Sequence, residues 1–73
     1  MGAKFPRLKA REIVRILRRH GFRLAATKGS HQKWRNDATE KQVIVPFHQG
    51  KDLPLGTLKS ILEGSGIPLE DWE

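Results

Sequence analysis

The chain has 73 residues, 37% of them hydrophobic, no cysteine, and 14 Lys+Arg against 8 Asp+Glu for a net charge of +6. Such a chain can build one small hydrophobic core, and it excludes a disulfide framework, a thiolate metal site, a transmembrane span and a secretory signal. The expected setting is reducing and cytoplasmic, and the charge implies a polyanionic partner, with nucleic acid foremost.

The charge is uneven. Ten Lys/Arg and one acid, Glu12, lie between Arg7 and Arg35, whereas Asn36 to Glu73 holds three lysines and seven acids. A basic face must therefore come from the first half of one domain over residues 1–73. Met1 to Pro6 reads as a tail.

Residues Lys9 to His20 form the first expected helix. Ile13, Ile16 and Leu17 recur at helical spacing with His20 on their stripe, while Arg11, Arg15, Arg18 and Arg19 gather opposite. Gly21 follows as the stop. Phe22 to Thr27 then alternates as a half-buried strand, and His31 to Arg35 alternates again. A two-residue Gly29-Ser30 turn would set Ala25 against Trp34 and mix the faces. A three-residue loop over Lys28-Gly29-Ser30 sets Leu24 against Trp34 and is the preferred register. Trp34 then points inward, while His31, Lys33 and Arg35 share the outward face.

Asn36 to Thr39 is a turn cluster, and Lys41 to Phe47 a third strand with Val43, Ile44 and Val45 at its centre. A polar loop leads to a second helix over Pro54 to Glu63, with Leu55, Leu58, Ile61 and Leu62 as its apolar stripe, ended by Gly64 and Gly66. Pro68 opens a short turn that drops Trp72 onto the core. The expected class is α+β: an α-β-β-β-α chain whose two helices cover one face of a three-stranded antiparallel sheet.

The chemistry-bearing segment is Gly29-Ser30-His31, flanked by Lys28, Lys33 and Arg35. Cleaving RNA without a metal needs a base for the 2′-hydroxyl, an acid for the leaving 5′-oxygen, and cations for the phosphorane charge. Histidine, with an ordinary pKa of roughly 6.5, accepts and returns protons near neutrality. His31 could be that base or acid, with Lys28, Lys33 or Arg35 on the phosphate. An exposed histidine in a basic hairpin could equally touch phosphate without chemistry. His48 is a second proton-transfer candidate or a plain loop residue, and His20 is assigned no function. The histidines lie 11 and 17 residues apart with no ligand spacing, so no metal or other cofactor is expected. Gly50-Lys51 lacks the other residues of a phosphate-binding P-loop. Trp34 could stack on a base, although its inward register favours the core.

Arg11 to Leu17 with His20-Gly21-Phe22, then Lys28 to Arg35, Val43 to Leu53 and Gly56 to Leu62, resembles the HicA family of toxins. Four blocks in this order, spanning about Leu8 to Trp72, make the resemblance specific. It implies a fold like that of double-stranded-RNA-binding domains and a metal-independent endoribonuclease that cleaves mRNA and arrests growth. The catalytic histidine of the Gly-Ser-His motif lands on His31, with Gly29 and Ser30 shaping its turn and Lys28, Lys33 and Arg35 as substrate contacts. A HicB-like antitoxin is the implied partner, with operator DNA bound only through the complex. Duplex binders carry a lysine cluster at the start of the last helix, where Pro54 to Ser60 has only Lys59, so single-stranded mRNA is the expected substrate. The alternatives are a non-catalytic RNA- or DNA-binding module and an adaptor that binds only protein. A core this small also implies a shallow site, open to long RNA and easily capped by a partner.

Overall fold

The computed structural model describes residues 7–48 and 50–72. The expectations for the Met1–Pro6 tail, for Gln49 in the polar loop and for Glu73 at the acidic end lie outside them. The element order is α1 (Ala10–Arg19), β1 (Arg23–Lys28), β2 (His31–Asn36), β3 (Lys41–Pro46), α2 (Leu55–Ser65) and a 3-10 turn (Leu69–Trp72). The strands form an antiparallel sheet in the order β1-β2-β3.

Helix α1 buries Ala10, Ile13, Val14 and Leu17, and the Glu12 carboxylate accepts the backbone N–H of Lys9 at its start. The chain leaves α1 through Gly21 at φ +88°, where a Cβ would also lie 3.3 Å from Nδ2 of Asn36. Helix α2 runs past Glu63 with Gly64 still inside it and ends at Gly66, the second of the two glycines expected to stop it. The core joins these helices to the inner sheet face: Ile13, Leu17, Leu58, Ile61 and Leu62 meet Trp34, Val43 and Val45. Trp72 closes it from the 3-10 turn at 1% exposure, as its sequence position predicted.

The hairpin register departs from expectation in an informative way. Lys28 pairs with His31, so the turn is the two-residue Gly29-Ser30. Leu24 nevertheless pairs with Trp34, because a bulge between Leu24 and Ala26 absorbs one residue. A tight turn and a segregated core face are thus both satisfied.

The half-buried pattern expected for β1 is also absent, since every residue of the strand is exposed. The sheet is three strands wide, and α2 packs against β3, at the opposite edge from β1. Phe22, read as part of this strand, is buried just before it begins.

Asn36 ties the halves of the fold together. Its Nδ2 donates to the His20 carbonyl at 2.8 Å, and its Oδ1 accepts from Ala38 N (2.9 Å) and Thr39 N (3.2 Å). Replacing it with alanine strips partners from a part-buried carbonyl and from the turn. Asn36→Ala is expected to cost about 1–3 kcal/mol, read from the midpoint of urea unfolding. An unmoved midpoint would rule out this role.

Candidate active site

The site is built on the hairpin. Gly29 has φ +59° at the first central position, where a two-residue turn of the II′ kind takes glycine. The tight turn sets Lys28 directly across from His31. On the other side His31 pairs with Pro46, and Phe47 N–H donates to the Ser30 carbonyl at 2.6 Å, holding the end of β3 against the turn. Ser30 thus anchors the turn through its backbone.

Strand alternation does the rest. Gln32, Trp34 and Asn36 face the helices, while His31, Lys33 and Arg35 face the open side of the sheet. Trp34 is 2% exposed, which makes it core rather than a stacking platform, and its Nε1 donates to Gln32 Oε1. The cross-strand neighbours on the open side are Lys28, Ala26 and Arg23 of β1, and Pro46, Ile44 and Gln42 of β3. His31 is exposed. The open face is therefore an uncovered plane with a histidine at one end, lysines beside it, and arginines at the other end.

Two features, one on this plane and one on the helix side of the sheet, were not legible in the sequence. Arg35 pairs with Arg23 across the strands, and the carboxylate of Asp37, in the turn after β2, accepts from both. Arg23 Nε reaches Oδ2 at 2.7 Å, Arg23 Nη2 reaches Oδ1 at 3.2 Å, and Arg35 Nε reaches Oδ1 at 3.0 Å. The hydrogen bond from Arg23, then that from Arg35, holds the Asp37 carboxyl below the ordinary carboxylate range, and the same interaction raises the Arg23 guanidinium. An acid two residues after an arginine was the available signal. The stabilisation from a depressed carboxyl is present above the ordinary carboxylate range and lost as pH falls through the lowered value. The stability difference between the parent and Asp37→Asn should therefore shrink from neutral to strongly acidic pH in thermal melts. A pH-independent difference would contradict the linkage.

The second feature is Arg18. It belongs to the arginine set expected on the far side of α1, yet its guanidinium lies over the Trp34 ring, 5.2 Å from the centroid. Arg11, Arg15, Arg18 and Arg19 are all exposed.

His48 follows β3 and is exposed, lining a depression of about 300 Å³ with Pro46, Lys51, Asp52, Leu53 and Pro54. The pairing of His31 with Pro46 brings both histidines to one end of the sheet. His20 lies elsewhere, with Nε2 3.7 Å from Asp71 Oδ2. Among the described residues no three His, Cys, Asp or Glu side chains converge on a possible metal position, and no helix is long and apolar enough to cross a membrane.

Comparison with curated proteins finds no match. Residues 10–67, from the first turn of α1 through the sheet and α2 to Ile67, match the family model of the HicA toxin of bacterial toxin-antitoxin systems. That stretch contains the hairpin, the histidine at its head and the basic open face, and on this match the chain belongs to the HicA toxin family.

Proposed function

We propose that this toxin is a metal-independent endoribonuclease acting on single-stranded mRNA in the cytoplasm, with His31 as its proton-transfer residue. The observation that carries the reading is the position of His31: exposed, at the head of a basic plane, and directly opposite Lys28. RNA lying on the plane presents the scissile phosphate to Lys28, its 2′-hydroxyl to the imidazole, and the following phosphate to Lys33. His31 takes the 2′-hydroxyl proton as the 2′-oxygen bonds to phosphorus. The bond from phosphorus to the 5′-oxygen then breaks, and that oxygen is protonated by an acid. The products are a 2′,3′-cyclic phosphate and a free 5′-hydroxyl. His48, at the same end of the sheet, is the candidate for the acid. Lysine charge stabilises the pentacoordinate phosphorane.

Membership in a toxin-antitoxin family implies an antitoxin partner. A HicB-like protein covering the open face would block RNA access, since a flat site is closed by any surface laid across it. Operator DNA is then reached through the antitoxin. Duplex RNA is disfavoured, because the start of α2 offers only Lys59.

The test is incubation of the purified protein with mRNA in excess EDTA, beside His31→Ala. Cleavage by the parent alone supports the reading. Intact RNA in both tubes, with binding that weakens steeply as salt rises, would leave a non-catalytic binding module instead. Absence of any salt-dependent RNA affinity would point to an adaptor for protein alone.

A further inference from the structure

The open face of β2 carries His31, Lys33 and Arg35 at every second residue, and a strand advances about 3.3 Å per residue. Adjacent side chains on that face are thus separated by about 6.6 Å, and Arg35 lies about 13 Å from His31. One nucleotide of extended single-stranded RNA spans a comparable step. The strand and an RNA chain lying along it are therefore nearly commensurate.

At the far end of this row the structure has arranged two guanidinium groups. Arg23 and Arg35 are cross-strand partners, a pairing that repels when uncompensated. Asp37 offsets that repulsion by accepting from both. It takes only Nε of Arg35, so neither Nη group of that residue makes a hydrogen bond among the described residues. The cluster keeps one net positive charge, and its remaining N–H groups suit the fork geometry with which arginine grips a phosphate. Between the ends, Lys33 is flanked by Ala26 and Ile44, so it is the cation at the middle step.

We propose that Arg23 and Arg35 form a phosphate-binding subsite two phosphates along the RNA from the one at His31, with Lys33 at the phosphate between. The inference rests on the reading of His31 as the point of cleavage for its numbering of phosphates. The existence of a distal anion subsite is independent of that chemistry.

The test uses 2′-O-methyl oligoribonucleotides, which lack the nucleophile and are not consumed, with affinity read by fluorescence anisotropy. A dinucleotide reaches one phosphate position, whereas a hexanucleotide laid along β2 reaches the arginine pair. Arg35→Ala and Arg23→Ala should each weaken hexanucleotide binding by about tenfold and leave dinucleotide binding unchanged. The salt dependence of the hexanucleotide should also become shallower, by about 0.7 in the slope of log K against log salt for each phosphate no longer neutralised. Arg35→Gln repeats the test with a side chain that keeps most of its length, and circular dichroism verifies that each variant is folded. Equal weakening of both oligonucleotides would mean a diffuse electrostatic effect and overturn the subsite. Unchanged hexanucleotide affinity would reduce the cluster to an ion pair of the fold. A protein that fails to cleave ordinary RNA but shows the length-dependent weakening refutes the nuclease reading and leaves the subsite standing.

Discussion

Replacing His31 with alanine should lower RNA cleavage by about 10²–10⁴-fold, the usual contribution of a positioned general acid or base. The same change should leave the melting temperature nearly unmoved. His31 is exposed and lies on a face that no helix covers, so its truncation opens no cavity. Lys28, Lys33 and the arginine pair also remain, so RNA affinity should persist when the rate collapses. That separation is the useful readout: an exposed histidine that merely touched phosphate would change binding and rate together. Cleavage by His31→Ala at the parental rate, under EDTA, would remove His31 from the chemistry.

The opposite pattern is expected at Trp34, three residues away. Trp34→Ala should destabilise the fold by about 3–5 kcal/mol, the range for deleting a buried large aromatic. A domain of this size holds only about 3–5 kcal/mol in total, so most of the variant should be unfolded at 25 °C. The cost is large because Trp34 is 2% exposed and engages several separate partners. It sits among the core residues of both helices and β3, carries Arg18 over its ring, and donates to Gln32. Loss of far-UV circular dichroism and of a cooperative melt would be the direct measurement. A folded Trp34→Ala protein with an intact melt but no RNA binding would instead make the indole a stacking platform. His31 and Trp34 thus divide function from stability along a single strand, by the alternation of side chains across a sheet.

That alternation explains why part of the site was legible from residue order. A strand has period two, so placing Trp34 inward forces His31, Lys33 and Arg35 outward whatever the rest of the fold does. The helix stripes were legible for the same reason, and Ile13, Leu17, Leu58, Ile61 and Leu62 are buried as their spacing requires, whereas Leu55, in the first turn of α2, is 62% exposed. Boundaries moved by a residue or two, as with α2 running on to Ser65 through Gly64.

The register of the hairpin was a harder problem. A tight Gly-Ser turn and a Leu24–Trp34 pair are incompatible in an unbroken ladder. The protein keeps both through the bulge at Ala25. A bulge leaves no periodic trace in six residues and is decided by which arrangement packs best. The exposure of β1 has a similar origin. Leu24 is 45% exposed although it occupies an inward position, because it lies on the edge strand farthest from α2, which packs on β3.

The unequal charge with which the chain presents itself, +6 overall and concentrated before Asn36, was fixed by composition alone, as were the helices, the strands and the outward histidine by residue order. Those properties follow from local periodicity and from where apolar side chains must go. Tertiary structure alone decided what these cations touch. Folding laid Arg18 on Trp34 and let Asp37, from the acid-rich half, tie together Arg23 and Arg35, which lie twelve residues apart in the chain. Charge pairing depends on distance in space and not on distance along the chain, so it emerges only once the strands have met.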